Sequence, residues 1–117
     1  MVSIFQCTII NIPDLLKNPY IIQPVSLGGE LYFFEYKWNI RYGRAFLSIF
    51  KKENGTQKYF VKNICLIPQL SISDNIHDTN WSGLLTFGNQ IGGSNAVDYR
   101  QDTINIDFDI KYFAEEE

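Results

Sequence analysis

Residues 27–49, LGGELYFFEYKWNIRYGRAFLSI, constrain the fold more than any other part of this chain. In the first half of the segment, every second residue is apolar: Tyr32, Phe34, Tyr36, Trp38 and Ile40. The residues between them, which would point to the opposite face of a strand, are apolar only at the start and become polar from Glu35 onward. A polar turn containing Gly43 follows, and residues 45–50 form a second apolar run. The segment therefore predicts a β-hairpin that turns its aromatic parity towards a core.

Turn residues divide the rest of the chain into short apolar segments. The pairs Gly28-Gly29 and Asn54-Gly55 predict tight turns, because these residues tolerate the positive φ that short hairpin loops need. Pro24 predicts an edge strand or a bulge, since proline has no N–H for a strand ladder. About seven such strands predict an all-β domain, namely a small antiparallel β-sandwich or barrel.

The ends of the chain carry separate predictions. A chain of 117 residues is expected to form one domain with its own core. Residues 1–19, which include Pro13 and Pro19, are expected to form an N-terminal extension that holds the first of these strands, from Val2 to Ile10. Alternation over 104–112 predicts a half-buried last strand, with Asp107 and Asp109 on its solvated face. Residues 113–117 are expected to be an acidic, disordered tail.

Composition and charge restrict the functional classes. The formal net charge is −3, so the chain lacks the basic surface that a nucleic-acid partner requires. The N-terminus has no basic segment of the kind that begins a signal peptide, and no apolar run approaches the roughly 18 residues of a membrane-spanning helix. We therefore expect synthesis and folding in a reducing cytosol, without membrane insertion. Cys7 and Cys65 lie in apolar runs and are expected to be buried thiols, with a disulfide as the alternative.

No motif for catalysis, metal binding or cofactor binding emerges from the sequence. His77 is the one histidine, and neither cysteine lies at ligand spacing from it. No serine has the context of a nucleophile elbow. The pairs Gly28-Gly29 and Gly92-Gly93 lack the following helix and Lys-Ser/Thr of a phosphate-binding loop. The sequence thus predicts no catalytic residue, no metal site and no cofactor.

Two long polar loops, residues 73–82 and 88–100, are the candidate contact regions. Loops on a rigid sheet commonly carry the contacts of a small domain. Trp81 lies in the first loop, where the pattern does not demand burial. The predicted interface residues are His77, Trp81, Asn89, Gln90, Ile91 and Tyr99.

The central hairpin also carries a more specific pattern. It consists of Leu27-Gly28-Gly29, Tyr32, Trp38-Asn39, Arg41 and Gly43, followed by Phe46, Leu47, Ile49 and the Asn54-Gly55 turn. This pattern resembles the small family typified by the plug protein of cyanophage baseplates, found in phages with contractile tails. Residues 27–55 carry the specific part of the match. Many family members have tryptophan at the position of Phe46.

The resemblance implies a non-enzymatic structural protein of the virion, assembled in the host cytoplasm. Such a plug would occur in several symmetric copies on the axis of the tail baseplate, in contact with hub and tube proteins. Under this hypothesis Leu27, Gly28, Gly29, Tyr32, Trp38, Asn39, Arg41 and Gly43 determine the hairpin, and the loops supply contacts. The alternative is a monomeric carbohydrate- or ligand-binding β-sandwich that uses exposed aromatic residues.

Overall fold

The computed structural model describes residues 4–78, 81–92 and 95–116, with side chains from residue 7 to residue 114. Two four-stranded antiparallel sheets pack face to face, so the predicted all-β sandwich is confirmed. The described residues contain eight strands, one more than the approximate prediction. They are β1 (Ile4–Ile10), β2 (Tyr20–Leu27), β3 (Glu30–Asn39), β4 (Arg44–Glu53), β5 (Thr56–Cys65), β6 (Leu70–Ser71), β7 (Leu84–Asn89) and β8 (Phe108–Glu116). A 3₁₀ helix spans Ile72–Asn75 and a short helix α1 spans Ile104–Asp107.

The two sheets are built differently from the chain. One is a meander in the order β2-β3-β4-β5, in which each strand pairs with the next. The other has the order β1-β8-β7-β6 and pairs the two ends of the described chain. The core lies between the sheets, and its fully buried large side chains include Phe34, Tyr36, Leu47, Phe87 and Phe108.

The predicted central hairpin is formed by β3 and β4. Tyr36 pairs with Leu47 in the ladder, and the aromatic parity from Tyr32 to Tyr36 is buried as predicted. Ile40, however, is 84% exposed, because β3 ends at Asn39 and the chain has already turned.

The turn of the central hairpin is held by local hydrogen bonds. The Asn39 Oδ1 accepts hydrogen bonds from the backbone N–H groups of Arg41 and Tyr42, at 3.0 and 3.1 Å. Gly43 has φ +61°, which a residue with a side chain rarely adopts. Asn39 and Gly43 therefore set this turn through local backbone chemistry.

The other turn predictions are also confirmed. Gly28 and Gly29 have positive φ between β2 and β3, and Asn54 and Gly55 have positive φ between β4 and β5. Pro24 lies in β2, an edge strand. These features depend on residues close in sequence, which is why the sequence predicts them well.

The predicted strand over 104–112 is wrong in its first half. Residues Ile104–Asp107 form α1, and β8 begins at Phe108. Ile104 and Phe108 are both fully buried, and a spacing of four residues places two side chains on one face of either a helix or a strand. The hydrogen bond from the Asp107 N–H to the Thr103 carbonyl, at 2.9 Å, selects the helical alternative.

Asp109 does not lie on a solvated face. It is only 3% exposed, and its Oδ1 lies 2.5 Å from the Lys111 Nζ. A buried carboxylate requires such a charged partner, so its burial depends on a contact that alternation alone cannot show.

Both ends of the described chain are integrated into the fold. The predicted N-terminal extension contains β1, and the linker after it contributes the buried residues Ile12 and Leu15 to the core. Residues 113–116, which were expected to belong to a tail, are the last part of β8 and pair with β1. Cys7 is exposed and Cys65 is half-buried, and both are free thiols; the expectation of burial is thus wrong for Cys7.

Candidate interaction surface

An aromatic row crosses the outward face of the β2–β5 sheet. The ladder registers place Pro24 opposite Phe33, Phe33 opposite Phe50 and Phe50 opposite Tyr59. These residues have the parity opposite to the core residues, and the core cluster of the described chain contains none of them. One residue from each of the four strands therefore builds a continuous row on the outside of the sandwich.

The rings of the row pack on one another. Phe33 stacks on Phe50 with ring centroids 5.4 Å apart, and Phe50 contacts Tyr59 at 5.2 Å. Phe50 is only 1% exposed although it lies outside the core between the sheets. Neighbouring aromatic rings thus form a second, smaller apolar layer on this side of the sheet.

Further apolar side chains on the same face remain open. Leu31 is 51% exposed, Tyr20 is 54% exposed and Ile22 is 40% exposed. Phe46, on the same parity of β4, is half-buried. We call the whole surface the outer aromatic face; its members are Tyr20, Ile22, Pro24, Leu31, Phe33, Phe46, Phe50 and Tyr59.

Lysines supply the positive charge of the outer aromatic face. The Lys52 Nζ lies 4.8 Å from the ring centroid of Phe33, and the Lys62 Nζ lies 5.0 Å from that of Tyr59. The Lys37 Nζ lies 5.8 Å from the Tyr20 ring. Each ammonium group is attracted by the negative face of a ring, and each alkyl chain covers apolar surface.

Glu35 is the carboxylate of this face. It is 8% exposed and accepts a hydrogen bond of 2.6 Å from the Tyr20 hydroxyl, and its other oxygen lies 3.8 Å from the Lys37 Nζ. The hydrogen bond to the carboxylate raises the pKa of Tyr20 above its usual value. Because Glu35 is bound within the protein, the accessible charge of the face is positive.

Of the predicted interface residues, Tyr99 belongs to the core and Trp81 packs against it. Tyr99 is 6% exposed, its hydroxyl accepts a 3.1 Å hydrogen bond from the Ala45 N–H, and it donates to the Leu66 carbonyl. Burial raises its pKa. Trp81 is partly buried and packs on Tyr32 at a centroid distance of 5.2 Å. The prediction of a surface contact is wrong for the Tyr99 side chain, because the loop folds back between the sheets.

The other predicted interface residues divide into anchors and exposed positions. The Asn89 side-chain amide donates to the Ala96 carbonyl at 2.8 Å, and that of Gln90 donates to the Asn105 carbonyl at 3.1 Å. Ile91 is 76% exposed and His77 is also exposed. These residues are not gathered into one site by the fold.

A bidentate ion pair fixes the loop before Tyr99 to β4. The Arg44 guanidinium contacts both carboxylate oxygens of Asp98, at 2.5 and 2.9 Å. These bonds, together with one from the Tyr99 N–H, lower the pKa of Asp98. The ion pair therefore orients the loop that inserts Tyr99.

A cavity of about 370 Å³ with a mixed polar and apolar lining lies on the outer side of the other sheet, next to Lys111. The Lys111 ammonium donates to the Asn89 carbonyl at 2.9 Å as well as to Asp109. Its charge is thus neutralised within the protein. The polar lining of the cavity comes from Gln69, Ser71, Thr86 and Asn89, and Leu70 and Phe87 line it as well.

The described ranges contain neither a candidate metal site nor a membrane-spanning helix. Within residues 4–78, 81–92 and 95–116, no three His, Cys, Asp or Glu side chains converge in a way that could hold a metal ion. No helix in that part of the chain has the length and apolar character needed to cross a membrane.

Comparison with protein families, curated proteins and solved structures finds no significant match to this chain. The outer aromatic face was not identified from the sequence, because its row is formed by residues from four strands. A signal does exist: Phe33 in β3 and Phe46 and Phe50 in β4 are aromatic residues on the parity opposite to the core. A strand with one solvated face should be polar at such positions.

Proposed function

We propose that this chain is a non-enzymatic structural subunit of a protein assembly, and that it binds a neighbouring subunit through the outer aromatic face. The observation that carries the proposal is the continuous row of Pro24, Phe33, Phe50 and Tyr59, extended by the exposed side chain of Leu31. Contiguous apolar surface of this kind is typical of protein interaction sites. Aromatic residues are also enriched at the centres of interfaces.

The charges of the face define the chemistry of the partner. Lys37, Lys52 and Lys62 lie over its rings, whereas Glu35 is nearly buried. Two copies of this face would bring like charges together, which disfavours self-association through it. The expected partner is a different protein with an apolar centre and carboxylates at its rim.

The finer form of the proposal is a plug or hub-associated protein of a contractile phage tail baseplate. It is supported by the resemblance in residues 27–55, where Trp38-Asn39, Arg41 and Gly43 form the characteristic hairpin. In this role the chain would assemble in symmetric copies on the tail axis, in the host cytoplasm, and would contact hub and tube proteins. A structural role requires no cofactor and no catalytic residue.

A charge reversal on the face tests the proposal. We would supply the double variant Lys52→Glu/Lys62→Glu to tails that assemble without the native chain, and quantify its incorporation by mass spectrometry of purified tails. The matched control is Lys17→Glu/Arg100→Glu, which changes net charge equally at exposed positions outside the face. We expect at least a tenfold loss of incorporation for the first variant and none for the control, since a desolvated like-charge contact costs several kcal/mol.

Two results would count against the proposal. Equal incorporation of both double variants would show that the outer aromatic face does not bind the partner. Saturable quenching of tryptophan fluorescence by a sugar panel, in a protein that stays monomeric, would instead favour the carbohydrate-binding alternative. The lysines that lie over Phe33 and Tyr59 favour the first hypothesis, because they occupy ring surface on which a sugar would stack.

A further inference from the structure

The four edges of the two sheets differ in how open they are to another strand. The β2 edge contains Pro24, which has no N–H to donate. The β5 edge contains an irregularity of register opposite Ile49, and Asn63 there has φ +54°. The β6 edge has only two residues, Leu70 and Ser71. Proline, bulges and short strands are the usual means by which proteins prevent pairing at an edge.

The fourth edge, β1, has none of these features. Its sequence is IFQCTII, without proline, glycine or charge, and its register with β8 is continuous from Ile4 to Ile10. Cys7 and Thr8 point to opposite faces of the strand, and both are exposed. Ile9 is 50% exposed. Among residues 4–78, 81–92 and 95–116, β8 is the only strand that pairs with β1, so the other edge of β1 offers backbone N–H and C=O groups to a further strand.

We propose that two copies of this chain pair β1 with β1 in antiparallel orientation, about a twofold axis that passes next to Cys7. Cys7 is the central residue of the seven in β1. This register pairs Ile4 with Ile10, Phe5 with Ile9, and Gln6 with Thr8 of the other copy, so each residue meets one of similar polarity. The two β1–β8–β7–β6 sheets thereby join into one eight-stranded sheet.

Self-pairing follows from the absence of charge on β1. An isologous interface must be complementary to itself, and an uncharged strand pairs with its own copy without repulsion. The inference deepens the proposed function, since it rests on assembly in symmetric copies. It uses a different surface from the outer aromatic face, and separate variants therefore test the two.

The position of Cys7 provides a direct measurement. In antiparallel pairing, directly opposed residues have Cα atoms about 4.5 to 5.5 Å apart, which is within the range of a disulfide. We would treat the Cys65→Ser variant, which retains Cys7, with copper-phenanthroline as oxidant and follow the products by non-reducing electrophoresis. We expect a covalent dimer that a reductant reverses. The Cys7→Ser variant, which retains Cys65, is expected to give none.

A charge at the axis provides the second measurement, by sedimentation equilibrium without oxidant. The wild-type chain and Cys7→Ser are expected to sediment at twice the chain mass of 13.6 kDa. Cys7→Lys would place two ammonium groups directly opposite each other and is expected to sediment as a monomer. Leu84→Lys is the matched control, because Leu84 lies on the same outer face but in β7, and is 45% exposed. It is expected to remain dimeric.

The outcomes separate this inference from the proposed function. A wild-type chain that stays monomeric at the highest soluble concentration, and forms no Cys7 crosslink, overturns strand pairing and leaves the outer aromatic face untouched. A dimer that survives Cys7→Lys but is lost in Lys52→Glu/Lys62→Glu also overturns it, and assigns self-association to the other surface. Circular dichroism shows whether Cys7→Lys is folded. If Cys7→Lys is unfolded, the oxidation of Cys65→Ser decides whether β1 pairs with β1.

Discussion

Removal of the Tyr99 hydroxyl is expected to lower the free energy of unfolding. The hydroxyl accepts a hydrogen bond from the Ala45 N–H and donates one to the Leu66 carbonyl, and the Tyr99 ring packs on Phe87 and Phe108. The change Tyr99→Phe keeps the ring and removes only the oxygen. No large cavity forms, so the effect reports the two hydrogen bonds.

The expected loss follows from the two backbone groups left without a partner. A buried donor or acceptor that loses its partner costs about 1–3 kcal/mol. With two such groups, we expect Tyr99→Phe to lower the free energy of unfolding by about 2–4 kcal/mol. For a slope of about 1.5 kcal/mol/M, this lowers the urea midpoint by about 1–3 M.

Equilibrium urea unfolding, followed by tryptophan fluorescence, measures the change. The matched control is Tyr59→Phe, because the Tyr59 hydroxyl donates a hydrogen bond to the side chain of Gln57, in an exposed setting. We expect that control to change the free energy of unfolding by less than about 0.5 kcal/mol. If Tyr99→Phe were as mild as Tyr59→Phe, the role of the hydroxyl in joining the loop to β4 would be refuted.

Further predictions concern a glycine and an ion pair. Gly83→Ala is expected to cost about 2–5 kcal/mol by urea unfolding, since φ is +97° and the new Cβ would lie 2.6 Å from the Tyr112 ring. Gly28→Ala, with positive φ but open space, is the control and is expected to cost about 1–2 kcal/mol; equal losses would refute the steric argument. Asp98→Asn is expected to destabilise the protein at neutral pH but not in acid. Because hydrogen bonds from Arg44 lower the pKa of Asp98, its contribution is complete above the ordinary value of 3.8 and is lost as the pH falls through the folded-state pKa. A stability difference between wild type and Asp98→Asn that persists unchanged at low pH would contradict this linkage.

Local chemistry explains which parts of the fold the sequence determined by itself. The turns at Gly28-Gly29 and Asn54-Gly55 follow from backbone preferences of the residues involved, and the edge position of Pro24 follows from its missing N–H. The alternation of Phe34 and Tyr36 fixed the core side of the hairpin, because side chains on a strand alternate between faces.

Tertiary structure decided the features that depend on residues distant in sequence. The spacing between Ile104 and Phe108 does not show whether Ile104 belongs to a helix or a strand. Tyr99 is a core residue only because its loop reaches Ala45 and Leu66. The outer aromatic face likewise exists only through the pairing of four strands. Burial and neighbours are properties of the packed sheets, and a linear pattern reports only the side of its own strand on which a residue lies.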